Sequence, residues 1–355
     1  MDHAVVMAGG SGTRFWPESR AKRAKQFLNL TGHGTMTVET IRRFAPLVPA
    51  GNIWVVAGEK DREHLSPAAL GIPPENLLLE PEGKNTAPAV ALAAAAIRLR
   101  DPDAVVVASP ADHAIGDLKG FRAILRKALR LTRKSGCFVT LGIPPTHPAT
   151  GYGYIERGEP YGAPEDGVFR IRRFAEKPDA STARRFLRSG RFDWNSGLFL
   201  FRLPEFGDRL RSHLPDVHAA MESAFRHFGK PGFPAALRKA YRGIPSVSID
   251  HGLLEHEPEI LVVPAAVGWN DIGTWRSLHE FLGHGEAGNV LFGNIIAADC
   301  KNVLVRSDRG IVAVLGMEDI VVVRSGDAVL VCPRSRSEEV KGIVERVKAE
   351  YPELA

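Results

Sequence analysis

The chain has 355 residues, 44% of them apolar, with a net charge of +5, three cysteines and twelve histidines. That length supports two domains and a sizeable core; no run approaches the roughly 18 apolar residues of a membrane span, and the opening MDHAVV leaves no room for a basic signal segment, so a cytoplasmic chain with no membrane partner is expected. The basic clusters at 20–25, 122–134, 170–173 and 184–191 lack interleaved aromatics, which argues against nucleic acid, and widely spaced cysteines without an HExxH motif suit neither a disulfide framework nor zinc.

In chain order, apolar runs of about five residues alternate with helical patterns. Strands are predicted at 4–7, 53–57, 77–79, 104–108 and 137–141, and helices at 37–44, 59–70, 86–100 and 120–135. This alternation predicts an α/β fold, a Rossmann-like, mostly parallel sheet with helices on both faces. Residues 151–265 depart from it. Strands at 171–174 and 198–201 flank a helix at 181–188, and 204–242 reads as helix broken at Pro215, 229–231 and Pro234. The expectation is a substrate-binding insertion that extends the same sheet. From Asn289 short β runs recur at 290–297, 303–306, 311–314, 320–324 and 329–331, with turns at Asp308-Arg309-Gly310 and Ser325-Gly326-Asp327 and a helix over 335–348. The expected division is 1–283, with the insertion at about 151–265, and a small C-terminal all-β domain at 284–355 ending in a helix. The second part carries no evident chemistry, so packing or self-association as a homodimer is its expected role.

The strand at 4–7 runs into Ala8-Gly9-Gly10-Ser11-Gly12-Thr13-Arg14, with Lys25 beyond. Glycines let backbone amides approach a ligand, and two cations join them, a combination suited to a polyphosphate. A Walker loop would place Lys directly after Gly12, where Thr13 stands, and a dinucleotide fingerprint would place glycine at Phe15. Pro17 disfavours a helix beginning right after Gly12. Ligands in such sheets sit at the carboxyl ends of strands, and this loop, Glu80 and Asp112 all follow predicted strands.

Asp112, in Ser109-Pro110-Ala111-Asp112-His113, can hold Mg²⁺ against phosphate oxygens or cap a helix. Asp271 sits between glycines and tryptophans in Val267-Gly268-Trp269-Asn270-Asp271-Ile272-Gly273-Thr274-Trp275, as a presented carboxylate or as an Asn-Asp turn before a helix. Glu176-Lys177-Pro178 suits a sugar hydroxyl and a phosphate, or forms a surface ion pair. Asn85 or Thr86 is a good N-cap, with Pro88 in the first turn, while Glu80 and Pro81 precede them in a loop that could frame a base. Gly151-Tyr152-Gly153 and Asn195-Ser196-Gly197 pair small residues with aromatics, for close approach to a ligand or for a bulge.

Together AGGSGTRFWPESR, KQFL, EPEGKNTAPA, SPADH, GYGYI, FAEKP, WNSGLFLF, SID and VGWNDIGTW, in this order over residues 3–275, resemble the mannose-1-phosphate guanylyltransferase family of sugar nucleotidyltransferases. Residues 289–330 resemble its C-terminal β unit. The resemblance implies the nucleotide-diphospho-sugar transferase fold and, with Mg²⁺, conversion of GTP and mannose 1-phosphate to GDP-mannose and pyrophosphate. It implies that Ala8, Gly9, Gly10, Gly12, Thr13 and Arg14 hold the triphosphate and Lys25 the α-phosphate. Glu80, Pro81, Asn85 and Thr86 would border the guanosine, and Asp112 and Asp271 would bind the metal. Arg14, Lys25 and Asp112 would be the catalytic set. Gly153, Glu176 and Asn195 would contact the sugar and Lys177 its phosphate. Ala24 stands where the family usually has proline, and His251 where an aromatic residue is usual. Another sugar 1-phosphate or nucleoside triphosphate, or a catalytically silent nucleotide-sugar sensor, are the alternative readings.

Overall fold

The computed structural model describes residues 1–10, 14–20, 23–283 and 285–354. The chain forms two compact units. The first comprises Met1–Gly9, Ile41–Ala111 and Asp117–Trp269, and the second Gly10–Thr40, Asp112–Gly116 and Asn270–Ala355. In chain order the strands are β1 (Asp2–Met7), β2 (Ile53–Gly58), β3 (Leu77–Glu80), β4 (Val105–Pro110), β5 (Ala114–Ile115), β6 (Phe138–Ile143), β7 (Tyr154–Pro160), β8 (Phe169–Ala175), β9 (Phe192–Arg202), β10 (Ile260–Pro264), β11 (Trp269–Asn270), β12 (Val290–Ala298), β13 (Leu304–Leu315), β14 (Ile320–Ser325) and β15 (Ala328–Pro333).

The first unit is built on one sheet in the order β3-β2-β1-β4-β9-β6-β10-β8-β7. Among the described residues only β8 and β9 run against the other strands, so the sheet is mostly parallel, as expected. Strands β1, β2, β4 and β6 are buried along almost their whole length. That is why they read as unbroken Val/Ile/Ala runs rather than as alternation. The helix Thr86–Arg98 is buried at nearly every position. Its run of alanines lets it lie close to β1 and β2 and to the helix Pro215–Phe225.

The insertion extends the same sheet through β7 and β8, while β9 lies between β4 and β6. β9 is much longer than the predicted 198–201. Gly197 takes φ +67 inside it, and the register with β6 shifts between Thr140 and Gly142. The glycine is thus a bulge within a strand and not its boundary. The predicted helix 59–70 is instead a 3-10 segment Glu59–His64 and a short helix Pro67–Leu70, divided where Ser66 accepts a hydrogen bond from the Ala69 amide and Pro67 starts a new first turn.

At the carboxyl end of β3, Glu80 is buried, and the Tyr241 hydroxyl donates to its Oε1 at 3.1 Å. Burial pushes the Glu80 carboxyl up to about 7, while the Tyr241 hydrogen bond draws it down. Tyr241 also reaches the Pro88 carbonyl at 3.4 Å, so one side chain spans both ends of the loop between β3 and the helix Thr86–Arg98.

In the second unit β12, β13 and β14 run parallel, and β14 and β15 form an antiparallel hairpin with Gly326 and Asp327 at its tip. Parallel neighbours ordinarily need a crossover of a dozen residues or more. Here only a few separate them, because successive strands stack as coils whose corners are turned by left-handed residues: Asp299, Asn302, Gly316 and Asp319. The two strands predicted at 303–306 and 311–314 are one strand, β13. Asp308-Arg309-Gly310 is an outward bulge within it, marked by the register shift opposite Gly293. One face encloses Val303, Val305 and Val322. Another core joins Leu304, Val321, Val323 and Leu330 to Phe15, Trp16, Leu28, Leu30 and Trp275. The residues after β1 therefore share a core with the C-terminal strands.

A carboxyl group whose pKa is higher in the folded than in the unfolded chain binds its proton more tightly when folded. Its stabilisation is complete below the unfolded value and is lost as pH rises through about 7. The free energy of unfolding of wild type should therefore fall relative to Glu80→Gln between about pH 4.5 and about 7. Parallel pH profiles in denaturant titrations would contradict the protonated state of Glu80.

Candidate active-site groups

In the second unit Lys25 opens the short 3-10 turn Lys25–Phe27. Its side chain is 9% exposed, and Nζ donates to Asp112 Oδ2 at 2.9 Å and to the Asp271 carbonyl at 2.5 Å. The preceding Ala24 has φ −72°, the angle that a proline ring would enforce. The backbone entering Lys25 thus takes the proline-like shape without proline. The chain beyond is tied back where Gln26 Nε2 reaches the Gly10 carbonyl at 3.4 Å and Thr37 Oγ1 donates to the Gln26 carbonyl at 2.9 Å.

Asp112 lies two residues beyond β4 and keeps 36% of its side-chain exposure. Burial pushes its carboxyl up, but the charges of Lys25 and His113, with the hydrogen bond from Lys25, hold it below the usual range. It caps no helix: the N-cap of Leu118–Ser135 is Asp117, which accepts from the Gly120 amide at 2.9 Å. Asp271 is likewise not the cap of Trp275–Leu282. Thr274 performs that task in a capping box with Ser277. The Asp271 carboxylate folds back onto the Gly273 amide at 3.1 Å, and a Cβ at Gly273 would stand 3.0 Å from Asp271 Oδ2. Ile272 between them has φ +42°, a sparsely populated value for a β-branched residue that only a tightly determined loop sustains.

Gly9 and Gly10 are exposed, and a Cβ on either would meet nothing within 4 Å. Gly10, at φ +117°, needs glycine for its backbone rather than for space. Arg14 is exposed. Gly12 and Thr13 lie outside the described residues. The Ala8 amide donates to the Val56 carbonyl at 2.7 Å, so it continues the sheet.

The first unit gathers the residues expected at the sugar. A Cβ on Gly153 would stand 2.9 Å from Glu176 Oε2 and 3.5 Å from Asn195 Cβ. Glycine there is what lets both side chains close over the backbone. The Asn195 amide nitrogen donates to the Gly153 carbonyl at 2.8 Å. Its side chain donates through Nδ2 to Asp250 Oδ1 at 2.9 Å and accepts from the Gly197 amide at 3.1 Å. Lys177, at φ +34°, pairs its Nζ with Glu176 Oε1 at 2.9 Å, both side chains being well exposed. Tyr152 stands edge-on to Trp194 and Trp269 with ring centroids 5.0 and 5.4 Å away, an aromatic wall beside Gly153.

Asp250 was not assigned a role from the sequence. Burial raises its carboxyl, the Asn195 hydrogen bond lowers it, and the nearby charge of Glu176 raises it again. Two carboxylates and an amide thus converge, which is the donor and acceptor set that reads hydroxyl groups. The sequence signal was the SID triplet, with Ser248 accepting from the His251 amide at 3.2 Å to start a short helix. His251 itself is exposed, and its partner Glu255 at 2.9 Å holds its pKa up.

Asn85, at φ +69°, caps Thr86–Arg98 by accepting from the Thr86 amide at 2.8 Å. Thr86 Oγ1 accepts from the Ile249 amide at 2.8 Å, and Val247 bonds to the Lys84 carbonyl and the Ala87 amide. One segment, 247–250, therefore touches both the Asn85–Thr86 loop and Asn195. Pro81 is partly buried in the loop that Tyr241 spans.

The nucleotidyl transferase family matches residues 3–286, and the mannose-phosphate isomerase/GMP-like β-helix domain matches 293–347. The mannose-1-phosphate guanylyltransferase of Escherichia coli K12 is 40% identical over 354 residues, covering 98% of this chain and 74% of that protein. The xanthan biosynthesis protein XanB of Xanthomonas campestris B100 is 40% identical over 350 residues, covering 97% and 73%. A crystal structure from Thermus thermophilus, described as a mannose-1-phosphate geranyltransferase, superposes with a TM-score of 0.87 at 37% identity over 98% of this chain and 99% of that one. Likeness at this level, running through both units and accompanied by the expected fold, means that the chain belongs to the nucleotidyl transferases, within the mannose-1-phosphate guanylyltransferase family.

Proposed function

We propose that the chain transfers GMP from GTP to α-D-mannose 1-phosphate, giving GDP-mannose and pyrophosphate. The observation that carries this reading is the nearly buried ammonium of Lys25, held by the Asp112 carboxylate and the Asp271 carbonyl. An oxygen of the sugar phosphate attacks the α-phosphorus of GTP. The bond to the bridging oxygen of the β-phosphate breaks, and pyrophosphate leaves with that electron pair. The attacking group is already anionic near neutral pH, so the protein supplies positioning and charge neutralisation and needs no general base.

Lys25 and Arg14 would neutralise the α-phosphate and the leaving pyrophosphate, with the amides of the loop from Gly9 to Thr13. Asp112 and Asp271 suit Mg²⁺, which takes one or two carboxylates and completes its shell with water and phosphate oxygens. When bound, the ion would withdraw charge from the phosphate oxygens. In the first unit Glu176, Asn195 and Asp250 would take the sugar hydroxyls and Lys177 its phosphate. Asn85, Thr86, Pro81 and Glu80 would border the guanosine, Glu80 through its backbone because its carboxyl faces Tyr241. We further read 1–283 as the catalytic domain and 284–355 as the second, open to homodimer formation. A cytoplasmic location is part of this proposal. Among the described residues no helix is long and apolar enough to cross a membrane.

A pyrophosphate-release assay with GTP and mannose 1-phosphate tests the reading. Lys25→Ala should lower kcat by roughly a hundredfold or more, as for loss of one transition-state contact; unchanged turnover would remove Lys25 from the chemistry. Asp112→Asn should shift the Mg²⁺ activation curve to higher concentration at saturating GTP, and a superimposable curve would take Asp112 away from the ion. Asp250→Ala should raise KM for mannose 1-phosphate about tenfold, with KM for GTP unaffected, since a hydroxyl and the Asn195 amide lose their acceptor. Equal changes in both KM values would mean a general structural loss.

A further inference from the structure

We propose that Arg306, on β13, is a positioning residue that holds Lys25 in register for catalysis. The proposal rests on the role given to Lys25 above. Arg306 is 6% exposed. Its Nε and Nη2 donate to the two oxygens of Glu18 at 2.7 and 3.2 Å. Nη1 donates to the Leu30 carbonyl and Nη2 to the Asn29 carbonyl, each at 2.8 Å. Glu18 precedes Lys25 in the chain, and Asn29 and Leu30 follow it. One planar fork therefore fastens the lysine loop from both sides, a geometry that a guanidinium meets and an ammonium does not.

The loop cannot hold this shape alone. Among its described residues, 14–20 and 23–31, regular structure is limited to the single 3-10 turn at Lys25 and an isolated bridge between Arg20 and Arg23. Its exit is fitted to the same clamp: the Phe292 ring lies 4.5 Å from the Arg306 guanidinium. A Cβ on Gly32, at φ +93°, would stand 3.1 Å from that ring. The C-terminal strands grip the loop independently where Arg20 Nη2 meets Asp327 Oδ1 at 2.7 Å and the Ser325 carbonyl at 3.2 Å. Lys25 Nζ in turn needs its two oxygen partners at bonding distance, and a displacement of about 1 Å is enough to cost a large part of a rate. The coil of parallel strands thus acts on the reaction through the loop that it fixes.

The test is a double-mutant cycle on the full chain, with kcat, both KM values and thermal unfolding measured for Arg306→Gln, Lys25→Ala and the pair. Arg306→Gln should lower kcat roughly ten- to a hundredfold, with KM for mannose 1-phosphate within about twofold of wild type. In the Lys25→Ala background the same substitution should cost little more, since its effect passes through the lysine. Arg306→Lys, which can still pair with Glu18, should fall between. A folded Arg306→Gln chain with wild-type kcat, or losses that multiply fully in the pair, would overturn the proposal while leaving Lys25 catalytic. Wild-type turnover in Lys25→Ala would instead bring down the functional reading and this proposal with it. Should Arg306→Gln fail to fold, Glu18→Gln enters the same cycle and is judged by the same outcomes.

Discussion

A nearly buried ammonium must find oxygen partners, because the charge has lost most of its water. Lys25 finds two, and both come from far along the chain: Asp112, just past β4, and the carbonyl of Asp271. Each is itself held. Asp112 follows the closely paired end of β4, where the Ala111 amide bonds to Met7. Asp271 sits in a loop closed by Gly273 and ended by the Thr274 capping box. The ion pair thus draws together the loop that follows Gly9, the segment Asp112–Gly116 and the entry to a late helix, and these stretches belong to one compact unit.

The first unit solves a different problem. Its parallel strands are buried on both faces, so polar function is confined to strand ends and to the irregular edges of the insertion. There Gly153 lets Glu176 and Asn195 approach, and the segment 247–250 brings Asp250 onto Asn195 while bonding to the loop at 84–87. The half-buried Asp250 carboxylate is met by the Asn195 side chain at 2.9 Å, as a carboxylate drawn partly out of water requires.

The C-terminal coil illustrates how much of a β unit can serve another segment. Its strands are short and locally simple, yet their inward side chains share a core with Phe15, Trp16, Leu28 and Leu30. Arg306 and Asp327 hold the polar part of the same loop. Expected as a packing or self-association domain, this region is also the bed on which the lysine loop lies.

Much was legible in the sequence because it is local. Apolar runs marked β1, β2, β4 and β6, alanine and capping residues marked Thr86–Arg98, and glycines marked where backbone approaches a neighbour. The motifs carried the family. What local pattern could not decide were the partners of each side chain. Gly197 read as a close approach to a ligand or as a bulge, and Asp308-Arg309-Gly310 as a turn; the neighbouring strands made both bulges. Asp112 read as a metal ligand or as a cap, and Asp117 took the cap; Asp271 read as a presented carboxylate or as part of an Asn-Asp turn, and Asn270 and Asp271 do close such a turn onto the Ile272 and Gly273 amides ahead of the Thr274 cap. Lys25 and Asp112 are 87 residues apart, and Arg306 and Glu18 are 288 apart. Composition and periodicity fix which face of an element is buried. Only the folded chain decides which charges meet, because an ion pair depends on distance in space and leaves no period in the sequence.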